Sequence, residues 1–201
     1  RALFEFSAKH RFAFLGFLSS DFRSIYSTKP IRTIADLKGQ RLRTISSQTY
    51  IDMLTRFGAV PSVLPFGELY SAMQQGVVDG QENPLVNVQA GKLYEVQKYI
   101  SLTGHKYEMT PFLIGKRAWD KLSDGDKKIV QEAANEATAL QRKLAQEADD
   151  KMFVELKAKG VQIDKVDQAP FEKATAPVVA KWEASPIGPF VKKVVAAARA
   201  K

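Results

Sequence analysis

The sequence predicts an α/β fold with a largely parallel sheet, because strand-length apolar runs alternate with amphipathic helical patterns. Residues 12–18 form a continuous apolar run, which is typical of a strand buried on both faces. A single long helical pattern follows Ser123. The 201 residues, 45% hydrophobic and 26% charged, suffice for one large globular domain or two small ones.

The elements follow in chain order from these patterns. Gly39, Gly58 and Gly76 each end a helical pattern, where a positive φ favours glycine. The predicted strands are residues 12–18, 23–27, 41–44, 62–64, 77–78, 99–102, 110–114 and 161–163. The predicted helical segments are residues 2–9, 34–37, 49–57, 68–75, 84–93, 170–184 and 189–200.

The longest element is a predicted helix that begins at Ser123 and ends before Gly160. Ser123 is a good N-cap, and Asp124 and Asp126 place carboxylates in the first turn. Apolar residues recur every three or four positions without a Pro or Gly, so the helix would span about 50 Å. A coiled-coil arm is an alternative, although the apolar stripe is rich in alanine and is not a strict heptad.

The polar stretch 79–84, DGQENP, lies between a short strand and a helix that Pro84 opens. Ligand sites in open α/β sheets collect at such strand ends, while an ordinary polar loop is the alternative. Residues 65–85, PFGELYSAMQQGVVDGQENPL, closely resemble the signature of the solute-binding proteins of tripartite ATP-independent periplasmic (TRAP) transporters, the DctP family. Residues 34–44, IADLKGQRLRT, are similar to the upstream block of that family, and the resemblance runs from about Phe12 to the C-terminus.

The resemblance implies a periplasmic-binding-protein-like fold of two lobes with mostly parallel sheets and a long helix that spans both. Family members are about half as long again, so the first lobe is expected to be incomplete. Residues 1–22 and 104–201 would hold the remainder of that lobe, the long helix and the closing helices. Residues 23–103 would form the second lobe, which carries the ligand-anchoring side chains.

Arg43 is the first candidate site residue, because charge is uncommon within a strand such as residues 41–44, RLRT. Its guanidinium can bind a carboxylate in bidentate fashion. The alternatives are an edge-strand arginine in solvent or one paired to a structural carboxylate such as Asp52. The resemblance implies that Arg43 is the main carboxylate ligand.

Four further residues are ligand-binding candidates: Asn83, Phe66, Arg23 and Glu68. Asn83 offers a donor and an acceptor together and would lie beside Arg43, although it can also cap the following helix. The resemblance implies that Phe66 packs on the ligand and that Arg23 is a second ligand arginine. A core position for Phe66 and a surface position for Arg23 are the alternatives. Glu68 and Glu82 could orient the arginines.

Several classes of function are disfavoured. The chain has no cysteine, its two histidines lie far apart in sequence, and no nucleophile elbow or phosphate loop is present. No catalytic residue, cofactor or transition-metal site is therefore predicted, and the histidines are expected to be structural or exposed. The net charge of +8 is dispersed along the chain, which suits anionic ligands and disfavours nucleic acid.

The resulting prediction is a periplasmic solute-binding protein that captures a small organic acid and delivers it to the membrane subunits of a TRAP transporter. Hinge closure of the two lobes would accompany capture. A sensor domain of the same fold, or a small α/β hydrolase or lyase using Asp79 or Glu82, are the alternatives. The sequence leaves the identity of the acid open. An incomplete first lobe would lead to a dimer or to a separate N-terminal fragment.

Overall fold

The computed structural model describes residues 10–199, which fold into an α/β protein. The strands are β1 Phe12–Ser27, β2 Arg41–Thr44, β3 Val60–Val63, β4 Gly80–Asn83, β5 Tyr99–Gly115 and β6 Gln162–Lys165. The α-helices are α1 Gln48–Arg56, α2 Leu69–Gln74, α3 Leu85–Ala90, α4 Lys116–Trp119, α5 Asp124–Ala158, α6 Ala169–Glu183 and α7 Gly188–Arg199. Short 3₁₀ turns lie at Ile34–Leu37, Phe66–Glu68 and Leu93–Glu95. The helical segment predicted at residues 2–9 lies outside the described residues.

The strands form one mixed sheet in the order β3-β2-β4-β1-β5-β6. β2 pairs in parallel with β3 and β4, and β5 pairs in parallel with β6. β1 runs antiparallel to both of its neighbours, β4 and β5. The predicted largely parallel sheet is therefore wrong at its centre, because β1 enters between two strands that run the other way. The division into two lobes stays a prediction, since the described residues hold this single sheet.

Two strands are much longer than the sequence predicted. β1 is one strand of 16 residues, although residues 12–18 and 23–27 were expected to form two. β5 is one strand of 17 residues, although residues 99–102 and 110–114 were expected to be separate. β1 and β5 continue through polar interruptions because bulges between Ser19 and Phe22 and between Arg23 and Ile25 absorb the extra residues.

Hydrophobic cores cover both faces of the sheet. Consecutive strand residues point to opposite faces, so Ile25 and Tyr26 of β1 enter different cores. On the Tyr26 face the buried side chains of helices α2, α3 and α5 are Leu69, Ala72, Met73, Leu85, Val88, Met152 and Leu156. On the Ile25 face those of α1 and α6 are Tyr50, Met53, Leu54 and Phe171.

The long helix predicted after Ser123 is confirmed. α5 has 35 residues, and the Ser123 hydroxyl accepts a hydrogen bond from the Asp126 amide at 3.1 Å. Leu140 and Leu144 are 57% and 52% exposed, so the middle of the helix lies on the surface of the described part. No helix among residues 10–199 is both long and apolar enough to cross a membrane.

Candidate functional site

Adjacent strands bring three of the predicted site residues to one region of the sheet. Arg43 of β2 lies in register with Gln81 of β4. Asn83, the last residue of β4, lies in register with Ser24 of β1, the neighbour of Arg23. The sheet order β2-β4-β1 therefore places Arg43, Asn83 and Arg23 on successive strands.

Arg43 is buried, with 2% of its surface exposed. β2 lies between β3 and β4, so the alternative of an edge-strand arginine in solvent is wrong. Asp52 instead pairs with Lys181 at 2.5 Å, which excludes the proposed structural pair with Arg43. The Arg43 Nε donates a hydrogen bond to the Leu64 carbonyl at 2.8 Å.

The terminal nitrogens of Arg43 have no protein partner among residues 10–199, and no carboxylate of that part lies within 4.0 Å of the guanidinium. Burial lowers the pKa of Arg43, the charge of Glu82 opposes this shift, and Arg23 adds to it. The Arg43 Cζ lies 5.9 Å from the ring centroid of Phe66. Phe66 is 44% exposed, so it is not a core residue. The outer edge of the guanidinium can therefore receive a carboxylate in bidentate fashion.

Arg23 is also buried, with 4% of its surface exposed, so the surface-charge alternative is wrong. Its Nε and NH2 donate to the two carboxylate oxygens of Glu82 at 2.5 and 2.9 Å. Its NH1 donates to Glu108 Oε2 at 2.8 Å, and its NH2 also reaches the Glu82 carbonyl at 2.7 Å. Burial would lower the pKa of Arg23, but its bonds to the two carboxylates outweigh burial and raise it.

Glu82 is completely buried, and its carboxylate contacts the side chains of three residues. Besides Arg23, the Thr44 hydroxyl donates to Glu82 Oε1 at 3.1 Å, and His105 Nε2 lies 3.4 Å from Glu82 Oε2. Burial would raise the pKa of Glu82, but His105 and Arg23 reverse this shift and lower it. The suggestion that Glu82 orients an arginine agrees with its contacts to Arg23. The side chain of His105, a residue expected to be structural or exposed, has no exposed surface and lies beside this ion pair.

Sequence reasoning missed three residues beside Arg23: Glu108 and Tyr50, which contact its guanidinium, and Lys106, its register partner on β5. The Lys106 ammonium lies 3.1 Å from Glu108 Oε2 and is hydrogen-bonded to the Tyr50 hydroxyl. The Tyr50 hydroxyl donates to Glu108 Oε2 at 3.2 Å, and its ring lies 5.2 Å from the Arg23 Cζ. Burial would raise the pKa of Glu108, but Lys106 and Arg23 lower it, so this carboxylate is ionised at neutral pH. The sequence signal that could have identified Lys106 and Glu108 is their opposite charge at a spacing of two residues, which places both side chains on one face of a strand.

The remaining candidates differ in their surroundings. Asn83 Nδ2 donates to Gln81 Oε1 at 2.5 Å, and Asn83 Oδ1 accepts from Asn87 at 3.1 Å and from Arg23 at 3.3 Å. Its side chain does not cap α3, whose N-cap is Pro84. Glu68 is exposed on the turn after Phe66, and among the described residues it makes no hydrogen bond or ion pair to either arginine.

The carboxylates considered for catalysis are both engaged by arginines. Asp79 accepts from Arg41 at 2.7 and 3.0 Å, and Glu82 is held by Arg23. Within residues 10–199, no group of three or more His, Cys, Asp or Glu side chains could hold a metal ion. Neither Asp79 nor Glu82 is therefore free to act as a general acid or base, whereas the Arg43 guanidinium is suited to holding an anion.

The α/β fold, the buried Arg43 and the exposed Phe66 ring beside it agree with a binding protein of the periplasmic class. Residues 1–185 match the family described as bacterial extracellular solute-binding protein, family 7 (DctP), and the chain belongs to this family. The family consists of periplasmic solute-binding proteins of TRAP transporters, which are not enzymes. The expected family, periplasmic location and lack of enzymatic activity are thus confirmed.

Relatives and solved structures agree with this membership. The chain is 32% identical to the sialic acid-binding periplasmic protein SiaP of Vibrio cholerae over 174 residues. This aligned region covers 87% of the chain and 54% of SiaP. A TRAP solute-binding protein from Polaromonas sp. JS666 bound to D-erythronate is 36% identical, with a TM-score of 0.91, covering 100% of the chain and 66% of that one. A Xanthobacter autotrophicus Py2 protein with bound β-D-galacturonate is 28% identical, with a TM-score of 0.92, covering 98% and 66%.

The chain spans only part of these proteins. It covers 28%, 52% and 54% of the length of three curated relatives, and about two thirds of the solved chains. What the whole protein binds, and to which membrane partner it delivers its ligand, is therefore treated as a proposal.

Proposed function

We propose that this protein captures a small organic acid by its carboxylate and delivers it to the membrane subunits of a TRAP transporter. The observation that carries the proposal is Arg43, a buried guanidinium whose outer edge has no protein partner in the described part of the chain. A buried charge without a partner is costly, so a ligand that supplies the opposite charge binds there favourably. The bound D-erythronate and β-D-galacturonate of the two similar structures both carry one carboxylate.

The neighbouring residues have distinct roles in this proposal. Arg43 forms the bidentate contact with the carboxylate, and the exposed face of Phe66 packs against the carbon skeleton of the ligand. Asn83 contributes polar contacts beside the anchor. Arg23 is connected to Asn83 at 3.3 Å and supports the site from its ion pair with Glu82. Glu68, exposed on the turn after Phe66, contributes at the rim of the site.

Hinge closure is part of the proposed mechanism. The segment 23–103 and the remainder of the chain would close over the ligand, so that the carboxylate and Arg43 are removed from water. Small-angle X-ray scattering on the complete protein should show a smaller radius of gyration when the ligand is added. The expected dimer or separate N-terminal fragment concerns the 201 residues alone, so light scattering on that chain by itself is its test.

The proposal is tested by a thermal-shift screen of organic acids on the complete protein that contains this chain. A ligand that binds only the native state raises the melting temperature, and at one hundred times its dissociation constant it stabilises by about 2.7 kcal/mol. Each acid is paired with its uncharged analogue, for example D-erythronate with erythritol, as a matched control. The proposal would be contradicted if erythritol stabilised the protein as strongly as D-erythronate does. It would also be contradicted if no acid of the panel raised the melting temperature.

A further inference from the structure

A cavity of about 260 Å³ lies between β1 and α5, on the Tyr26 face of the sheet. Asp21 reaches this cavity from the bulge in β1, and Asp149 reaches it from α5. Ser24 and Tyr26 of β1 line the same cavity, since residues two apart in a strand point to one face. Arg43 does not line it, so the cavity is separate from the proposed carboxylate site.

The cavity contains two carboxylates and no compensating positive charge. No lysine, arginine or histidine lines it, and neither Asp21 nor Asp149 forms an ion pair within residues 10–199. Their carboxyls are close enough to share a hydrogen bond, and burial together with the Asp21 carboxylate raises the pKa of Asp149 to about 7. Two like charges that share one cavity repel each other, so the pair favours a bound species that carries positive charge.

Neutral oxygen atoms add to the possible ligands. Tyr26 is 2% exposed and Ser24 is 5% exposed, and neither hydroxyl forms a hydrogen bond in the described part of the chain. Neither oxygen is sealed off from solvent, so both open to the cavity that these residues line. Buried hydroxyls are normally hydrogen-bonded, so the free tyrosine hydroxyl indicates a missing partner independently of the carboxylates.

We propose that this cavity binds a divalent cation, for which Ca²⁺ is the best fit, with Asp21 and Asp149 as charged ligands and the Tyr26 hydroxyl as a neutral ligand. Ca²⁺ takes about six to eight oxygen ligands at flexible angles, which suits two carboxylates, hydroxyls and waters. The cavity has room for the ion with several waters, since each water occupies about 30 Å³ in the liquid. The ion would connect β1 to α5.

This site differs from a cluster of three or more acidic or imidazole ligands, which residues 10–199 do not contain. Its remaining ligands are therefore hydroxyl, amide and water oxygens. Gln168 also lines the cavity, and its amide nitrogen donates to the Leu102 carbonyl at 3.4 Å, which leaves its side-chain carbonyl available. Amide carbonyls are common calcium ligands. The inference concerns a different site from the proposed function and does not depend on it.

The test uses the complete protein, freed of metal with a chelator and titrated with calcium chloride in the absence of any organic acid. Because the site exists only in the folded protein, saturating calcium should raise the melting temperature by about 3 °C or more. Sodium chloride at the same ionic strength is the control for screening of surface charges, and it should raise the melting temperature by less than about 1 °C. Calorimetry measures the calcium dissociation constant.

Asp149→Asn and Asp21→Asn each remove one charged ligand and should weaken calcium binding by at least about tenfold. Asp21 has a φ of 59°, and asparagine also tolerates this left-handed conformation, so the second variant should fold. Tyr26→Phe keeps the ring in the core and removes only the hydroxyl, so it should weaken calcium binding by about threefold or more. Thermal unfolding without calcium verifies that each variant is folded.

Asp150→Asn is the matched control, because Asp150 is an exposed carboxylate next to Asp149 that does not line the cavity. It should change the calcium affinity by less than about twofold. The inference is wrong if calcium neither binds nor stabilises the protein, or if sodium chloride stabilises it equally. It is also wrong if both aspartate variants keep the wild-type affinity, or if Asp150→Asn weakens binding as much as they do. These outcomes leave the proposed function untouched, because no organic acid is present.

Discussion

Arg23 and Arg43 are buried to a similar degree, yet their surroundings are opposite. Each guanidinium nitrogen of Arg23 donates to an oxygen of Glu82 or Glu108. Arg43 donates from Nε to the Leu64 carbonyl, and its outer edge meets no carboxylate of residues 10–199. Buried charges are normally paired, so the second arrangement is costly for the protein alone. The comparison suggests that Arg23 stabilises the sheet, whereas Arg43 is reserved for a ligand.

The difference follows from the alternation of side chains along β4. Gln81 and Glu82 are consecutive in the strand and therefore point to opposite faces of the sheet. Arg43 shares the face of Gln81, where Asn83 Nδ2 donates to the Gln81 amide oxygen. Arg23 meets the carboxylate of Glu82 on the other face. The two faces of β4 therefore differ: one carries amide side chains beside Arg43, and the other carries the ion pair of Glu82 with Arg23.

The largest expected effect is on stability. Arg23→Met leaves Glu82 completely buried without its main cationic partner, and breaking a buried pair in this way costs about 3–5 kcal/mol. Urea denaturation of the complete protein measures the free energy of unfolding. Arg43→Met is the matched control and should change that free energy by less than about 1 kcal/mol, because it removes an uncompensated charge. Equal losses in the two variants would contradict the distinction between the arginines.

The next effect is on affinity. Arg43→Lys keeps the charge but loses the planar pair of donors, so we expect a loss of about 2 kcal/mol or more in binding of the organic acid. Isothermal titration calorimetry is the measurement. Arg41→Lys is the control, since Arg41 lies two residues away in the same strand but is half-exposed and pairs with Asp79. Wild-type affinity in Arg43→Lys would remove Arg43 from the site.

Glu82, the carboxylate partner of Arg23, should make the stability of the protein depend on pH, whereas Arg43 should not. In the folded protein the pKa of Glu82 is lowered, because His105 and Arg23 outweigh its burial. Its contribution is therefore complete above the ordinary glutamate pKa of about 4.3 and is lost as pH falls through the lower folded value. The fall in unfolding free energy from neutral to acid pH should be smaller in Glu82→Gln than in the wild type. Arg43→Met should retain the wild-type fall, and a smaller fall there would argue against this assignment.

The sequence predicted the elements whose ends carry local signals. The Ser123 cap and Gly160 bound α5 correctly, and Gly58 and Gly76 have the positive φ expected after helices. The long β1 and β5 were each divided in two, because Ser19 and Asp21 interrupt the apolar pattern of β1 and the bulge that absorbs them depends on pairing. The antiparallel direction of β1 was also missed, since apolar periodicity carries no strand direction.

The site was predicted only in part, because some of its residues lie in local sequence motifs and others are brought together by strand pairing. Arg43, Asn83 and Phe66 belong to recognisable sequence blocks, and the structure brings Arg43 and Phe66 together. Glu108 and Lys106 were missed because only the register of β5 against β1 brings them to Arg23. The role of the predicted ligand residues stays a prediction until binding is measured.

The smallest expected effect concerns the aromatic side of the Arg43 site. The Arg43 guanidinium lies 5.9 Å from the centroid of the Phe66 ring, and Phe66 is 44% exposed. A cation–π contact at an exposed position is worth about 0.5–1 kcal/mol, and the ring also holds the guanidinium in place for the ligand. Phe66→Leu should therefore weaken binding of the organic acid by about two- to fivefold in calorimetry, with little change in unfolding free energy.

Val63→Ala is the matched control for this experiment, because Val63 is a similarly exposed apolar residue of the neighbouring strand β3. It should leave affinity unchanged, since only a ring can interact with the guanidinium through its π face. Phe66→Tyr retains the π face and should keep most of the affinity. If Phe66→Leu binds as well as the wild type, the ring contributes nothing to the anchor. In that case the contrast between the two arginines rests on their hydrogen bonds alone.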